Sequence, residues 1–335
     1  MSAPAPSMHS EAARRMATQL VLKPGRPNLE VFAETLLELA RKDRQVLAVT
    51  SDSRGSGKLG PFGEALPGQI IEVGIAEQNL VGIAAGLAAS GKCVFAVSPA
   101  CFLTARSLEQ IKNDVAYSDH PVKLVGISAG VSYGALGSTH HSLHDIAVLR
   151  AINNIDIVVP ADNQETRCAV QAAARAEYPT YLRFGKAPLY DLHPSVPSYQ
   201  RGKGLVLREG TDLAFIASGE TVVHAVLAAG HLAASEGVSC TVISMPMIRP
   251  LDVNAILNAA RCGAVITVEE HMINGGLGEA SASVLLESGK AVRFKRIGIP
   301  DEYTVTGSQA DIFRHYGISM EGLAAAGRQL LRGRR

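Results

Sequence analysis

The chain carries almost no net charge. Its 32 Lys and Arg offset 31 Asp and Glu, for a formal charge of +1 at neutral pH. Nothing in that balance points to nucleic acid or to an anionic membrane as a partner. Long apolar runs are missing as well. Glycines and charges interrupt every candidate before the roughly 18 residues a bilayer span needs. Five cysteines (Cys93, Cys101, Cys168, Cys240, Cys262) lack any CxxC spacing. Several sit in strand-like runs such as CVFAVS, so free buried thiols in a reducing, cytoplasmic setting are expected. The opening segment MSAPAPSMHSEAARRMATQ has no secretory apolar core, and Glu11 and its shortness argue against a transit peptide. Residues 1–27 are expected to form a disordered tail. There is no internal repeat.

What is present is an alternation of short apolar runs and helical patterns. The 335 residues, 47% hydrophobic and 19% charged, suffice for two ordinary globular domains. Strand-like runs fall at 46–50, 70–73, 93–98, 122–128, 155–159 and 181–184, with helical stretches at 29–41, 104–116 and 163–177 among them. Near-continuous β-branched strands between helices imply a parallel sheet covered on both faces. Composition shifts near APLYDLHPSVPSYQ, which contains three prolines. A second alternation follows, with strands at 213–217, 239–243, 264–268 and 292–297. The expected fold class is α/β, two consecutive domains with mostly parallel sheets. The expected boundaries are 28–190 and 206–335, joined by a linker at 191–205.

One segment dominates the chemistry. In IIEVGIAEQNLVGIAAGLAA, residues 70–89, Glu77 is the lone carboxylate at the start of a helix made almost wholly of small and apolar residues after Gln78 and Asn79. A poorly solvated carboxyl there needs a ligand donor or a buried counter-charge. It reads either as a first-turn acid favoured by the helix dipole or as a buried ligand donor.

GIAEQN followed by GIAAGLA resembles the pyrimidine-binding domain of the transketolase family, whose members use thiamine diphosphate. MPMIRPLD, EEHMINGGLGEA and DEYTVTGS resemble the family's C-terminal domain, so the likeness covers roughly residues 28–330. The resemblance implies that Glu77 hydrogen-bonds N1′ of the coenzyme's aminopyrimidine and relays a proton. CFLTARSLEQIKN resembles the segment whose aromatic ring stacks on that pyrimidine. Phe102 is the candidate, with Leu103 taking its place if the alignment slips by one residue. Arg106 and Gln110 share a helix face, and Arg106 is assigned to the coenzyme side.

The family's single-chain members carry a further N-terminal domain, with a Gly-Asp-Gly motif, that holds the diphosphate through a divalent metal. This sequence contains no Gly-Asp-Gly. The expectation is a C-terminal subunit of a split transketolase. Mg2+ or a similar metal would be held by an N-terminal partner subunit, around a homodimer core within a heterotetramer.

GALGSTHHSLHD, residues 134–145, invites zinc because His140 and His144 are four residues apart, but a third ligand is unclear; no metal ligand is assigned on this chain. By resemblance His140 is a catalytic and substrate-binding residue that meets the sugar's hydroxyls. His141 replaces the family's usual glutamine, and Leu136 stands where an aspartate often reads a sugar hydroxyl, so an unusual sugar is indicated. Arg183 in TYLRFGKAP matches a phosphate-binding arginine, with Lys186 close behind. Ser128 lies where some members place a phosphate-contacting histidine. Arg54, in the loop TSDSRGSGKLG after the first strand, completes the substrate set; that loop is no P-loop, because Leu59 follows its Gly-Lys. His271 and the GGLGEA helix start are weaker candidates. The expected activity is transfer of a two-carbon ketol unit between sugar phosphates. The β chain of a 2-oxo acid dehydrogenase and 1-deoxyxylulose-5-phosphate synthase-like acyl transfer are the alternatives, and a non-catalytic regulatory role is disfavoured by Glu77.

Overall fold

The computed structural model describes residues 8–195 and 197–332. The first sheet has seven strands, in the order Ile70–Glu72, Val46–Thr50, Cys93–Pro99, Lys123–Ile127, Thr180–Phe184, Asp156–Val158 and Met247–Arg249. Six run parallel; the last is antiparallel. Val46–Thr50, Lys123–Ile127 and Thr180–Phe184 are buried at every position. Burial on both faces is why they read as unbroken apolar or β-branched runs rather than alternating ones. The second sheet orders Arg293–Ile299, Ala264–Met272, Leu213–Ala217, Cys240–Ser244 and Leu205–Arg208, with only the last antiparallel.

The two domains interlock. Met247–Arg249 lies between two elements of the second domain, yet it pairs with Asp156–Val158 at the edge of the first sheet. Met247 is 3% exposed and packs with Val158 and Leu182. No helix or strand occurs in the described residues between Asp191 and Leu205.

The expectation of a disordered tail over 1–27 fails from residue 8 onward; residues 1–7 lie outside the described residues. A helix spans Glu11–Gln19, capped by the Ser10 hydroxyl, and buries Ala13, Met16 and Ala17 against Val223 and Leu227. Lys23–Pro27 then pairs antiparallel with Pro188–Asp191. Its buried face is mostly alanine in a polar stretch, so little in its composition marks it as a packed helix. The expected helix at 104–116 also breaks up. Ala100–Arg106 is α-helical, Leu108–Gln110 follows, and Ile111–Tyr117 winds as a π-helix, a form often found near functional sites.

Among the described residues no disulfide links the cysteines, and no helix is long and apolar enough to cross a membrane.

The seam between the domains is polar. Gln309 Nε2 donates to Glu220 Oε2 and to Glu270 Oε1, both at 2.8 Å. Burial, followed by mutual repulsion, pushes the Glu220 carboxyl far above its usual range; burial likewise raises Glu270. The folded chain therefore keeps protons there that the unfolded chain releases. Stability from this seam is complete below about pH 4.5 and is lost as pH climbs through about 8. Urea midpoints should fall across that window, and Glu220→Gln should flatten the fall; a pH-independent midpoint in the wild type contradicts this account.

Candidate active site

Apart from Arg183, which lies within Thr180–Phe184, the candidates on the first domain lie past the carboxyl ends of parallel strands, the edge where ligands gather in open α/β sheets. Ile70–Glu72 passes through Gly74, whose φ of +73° suits glycine, into the helix Glu77–Ala89. Cys93–Pro99 runs directly into Ala100–Arg106. Lys123–Ile127 opens into the loop bearing Ser128, Tyr133 and His140, and Thr180–Phe184 into Lys186.

These side chains touch in series. Glu77 is 5% exposed, and Arg106 Nη1 donates to its Oε1 at 2.8 Å. The Arg106 guanidinium lies 4.2 Å from the Phe102 ring centroid, a cation–π contact. Phe102 meets the His140 ring edge-on at 5.3 Å. His140 meets Tyr133 edge-on at 5.5 Å, and Lys186 Nζ sits 3.8 Å over the Tyr133 ring. Leu103 is fully buried, so Phe102 is the residue of that pair that faces the site. Burial, then the nearby charge of Lys58, lowers the Lys186 ammonium below its usual value. Burial raises the adjacent Cys101 thiol to about 11, which makes it inert as a nucleophile near neutrality.

Other candidates stand elsewhere. Arg183 is not positioned to bind substrate phosphate. It is 6% exposed; its Nε donates to Asp145 Oδ2 at 2.8 Å, and its Nη2 to the carbonyls of Ser142 and Glu270 at 3.1 and 2.8 Å. Ser128 is fully buried at φ +52°, which corrects its placement against substrate. Arg54 is exposed and folds back on its own loop, donating to Gly60 O at 3.5 Å. His144 Nε2 lies 3.3 Å from Thr104 Oγ1, while His140 turns to Phe102, so the two do not converge on a metal. His271 is buried, accepts from Ala147 N through Nε2, and bonds Met272 O through Nδ1. The GGLGEA helix start is filled from within, since Glu269 accepts from Leu277 N and Gly278 N at 2.7 and 2.8 Å. Asp162, Glu165 and His193 cluster closely, but their oxygens already accept from the backbone of Ala161, Glu165, Leu192 and His193.

Residues 27–190 match the transketolase pyrimidine-binding domain, and residues 202–323 the transketolase C-terminal domain. The chain belongs to the transketolase family. It is 51% identical over 87% of its length to an apulose-4-phosphate transketolase subunit from Phocaeicola vulgatus, of which it covers 93%. It is 32% identical over 90% of its length to a 6-deoxy-6-sulfo-D-fructose transketolase subunit from a Clostridium, of which it covers 93%. The 1-deoxy-D-xylulose-5-phosphate synthase of Syntrophotalea carbinolica is 36% identical, but the chain spans only 48% of it. Among solved structures, one described as a split gene transketolase, inactive β4 tetramer, superposes with a TM-score of 0.82. It shares 33% identity and covers 93% of this chain, which covers 100% of it. This transketolase-family chain is thus of the split type, one part of a transferase, and it comprises the pyrimidine-binding and C-terminal domains.

Transketolases generally use thiamine diphosphate, and the donor set fits the coenzyme's aminopyrimidine end. A buried carboxylate and a partly exposed phenyl ring are bridged by one planar, hydrogen-bonding cation, Arg106, much as a flat, protonatable heterocycle would bridge them. Arg106 also neutralises Glu77. Arg106→Met should destabilise the isolated chain by about 1–2 kcal/mol at pH 8, and adding Glu77→Gln should recover most of that loss. Denaturant titration of the four-member cycle measures the coupling; additive effects contradict the pairing.

Proposed function

We propose that this chain forms the pyrimidine side of a two-polypeptide transketolase that moves a two-carbon ketol unit between sugar phosphates, with apulose 4-phosphate as a substrate. The observation that carries the reading is the unbroken series Glu77, Arg106, Phe102, His140, Tyr133 and Lys186. It joins a pyrimidine clamp to a hydroxyl-reading imidazole and a cation. The sugar is supported by the 51% and 39% identical relatives, both of them apulose-4-phosphate transketolase subunits. It is also supported by Leu136, an apolar and 55% exposed residue in the substrate loop, where an aspartate would favour ordinary ketoses. The partner chain supplies the diphosphate and divalent-metal half of the site, in an assembly with two copies of each chain.

Thiamine diphosphate, when bound with its aminopyrimidine end at Glu77 and Phe102, would supply the carbon-acid chemistry that ketol transfer needs. Glu77 holds and passes a proton at N1′ of the aminopyrimidine, a relay contributing roughly 10²–10⁴-fold. Phe102 supports the ring face, worth about 0.5–1.5 kcal/mol beyond buried area. Arg106 yields that face on loading. His140, when neutral, both donates to and accepts from sugar hydroxyls. Lys186, rather than Arg183, meets the substrate phosphate, since its ammonium lies over an aromatic face instead of in an internal ion pair.

Mixed with its partner chain, the protein should transfer ketol units from apulose 4-phosphate, while the isolated chain is inactive. Glu77→Gln should lower kcat by at least about 10²-fold with assembly intact by sedimentation; a fully active variant removes the relay. Lys186→Met should raise KM for the phosphorylated sugar about 10–100-fold and leave KM for an unphosphorylated analogue unchanged. Equal effects on both sugars contradict the phosphate role.

A further inference from the structure

The substrate loop is seated on the second domain. Thr304 Oγ1 lies 2.8 Å from His141 Nδ1 and 2.9 Å from Ser138 Oγ, while His141 Nε2 lies 2.9 Å from the carbonyl of Gly134. A carbonyl only accepts, so Nε2 carries the hydrogen. In a neutral ring Nδ1 then accepts, which forces Thr304 to donate to it and Ser138 to donate to Thr304. The three bonds run in one direction, and each group is used. Burial favours the neutral ring that this pattern needs: His141 is 3% exposed and its pKa is lowered. The loop also lies flush on the second domain at two positive-φ glycines. A Cβ at Gly134 would stand 2.4 Å from Gly307 O, and one at Gly137 would stand 3.1 Å from the Thr306 methyl.

We propose that Thr304 of the second domain is a positioning residue for sugar binding: through His141 and Ser138 it fixes the loop on which His140 meets the substrate's hydroxyls. The inference rests on the transketolase reading above. It gives the second domain a part in substrate recognition, and it accounts for a histidine at 141, because an imidazole bridges two fixed points 2.8 and 2.9 Å from its nitrogens. Removing the Thr304 hydroxyl loosens the loop, and that hydroxyl itself bonds Ser138 and His141 rather than Glu77 or Arg106. Ground-state sugar binding should therefore suffer while the chemical step is spared.

In the complex reconstituted with the partner chain, Thr304→Val should raise KM for the sugar phosphate about tenfold with kcat held within about twofold, and Thr304→Ser should restore the wild-type KM. An unchanged KM, or a fall in kcat at constant KM as expected of a merely misfolded fraction, overturns the proposal. The latch is also read without turnover. Nitrogen-15 spectra of the histidine-labelled chain should show His141 as the Nε2–H tautomer, and Thr304→Val should shift its Nδ1 resonance. An Nδ1–H tautomer, or a resonance indifferent to the substitution, overturns it even where the wild-type complex transfers no ketol unit, the result that would refute the functional reading instead.

Discussion

Arg183 is the pin on which the site depends. Its guanidinium, buried between the two domains, holds the Asp145 carboxylate that starts the helix after the substrate loop, the Ser142 carbonyl at the loop's end, and the Glu270 carbonyl of the second domain. Glu270 in turn accepts from Val131 N at 2.9 Å, and Ser142 N donates to Gly130 O at 2.7 Å. Both ends of the loop bearing Tyr133 and His140 are thereby tied to one buried cluster. Taking a guanidinium out of water costs several kcal/mol, and the cost is offset only where geometry is good and further hydrogen bonds are made. Here two carboxylates and two carbonyls surround it, and Tyr181 adds a bond of 2.7 Å to Asp145. The result is a loop anchored at both ends, with its middle left to the Thr304 contacts.

On that frame the chemistry falls along one edge. Parallel strands deliver their following residues to the same side of the sheet, so groups far apart in sequence become neighbours: Glu77 meets Arg106 across 29 positions. In the proposed function the clamp so built addresses one end of a coenzyme. Its buried carboxylate is useful only against a partner that can share a proton, and its aromatic face only against a flat ring. Neither feature grips a diphosphate. The two-polypeptide reading follows from that division of labour together with the split-type relatives.

The sheets are legible in the sequence because their strands are buried on both faces, and buried parallel strands have an unmistakable apolar, β-branched signature. Val46–Thr50 and Leu213–Ala217 can be bounded to the residue. Glu77 stands out as the lone acid of a Gly/Ala-rich helix, but the helix dipole alone explains an acid in its first turn, and the coenzyme role comes from the family resemblance. Phe102 against Leu103 is decided only by packing. Arg183 misleads because its counter-charges come from 38 and 87 positions away. Without them, two basic residues three apart look equivalent, and Lys186 is the one left facing the site. Met247–Arg249 is hidden because three residues carry no period, and its pairing crosses a domain boundary. The Glu11–Gln19 helix is hidden because its buried stripe is mostly alanine.

The account's central claim is that this chain supplies half of one coenzyme site. Calorimetric titration of thiamine diphosphate with Mg2+ into the chain alone, the partner alone and their mixture tests it most directly. Tight binding only in the mixture, at one coenzyme per chain and weakened by Phe102→Ala, is the predicted result. Tight binding to either chain alone, or affinity in the mixture indifferent to Phe102, would contradict it.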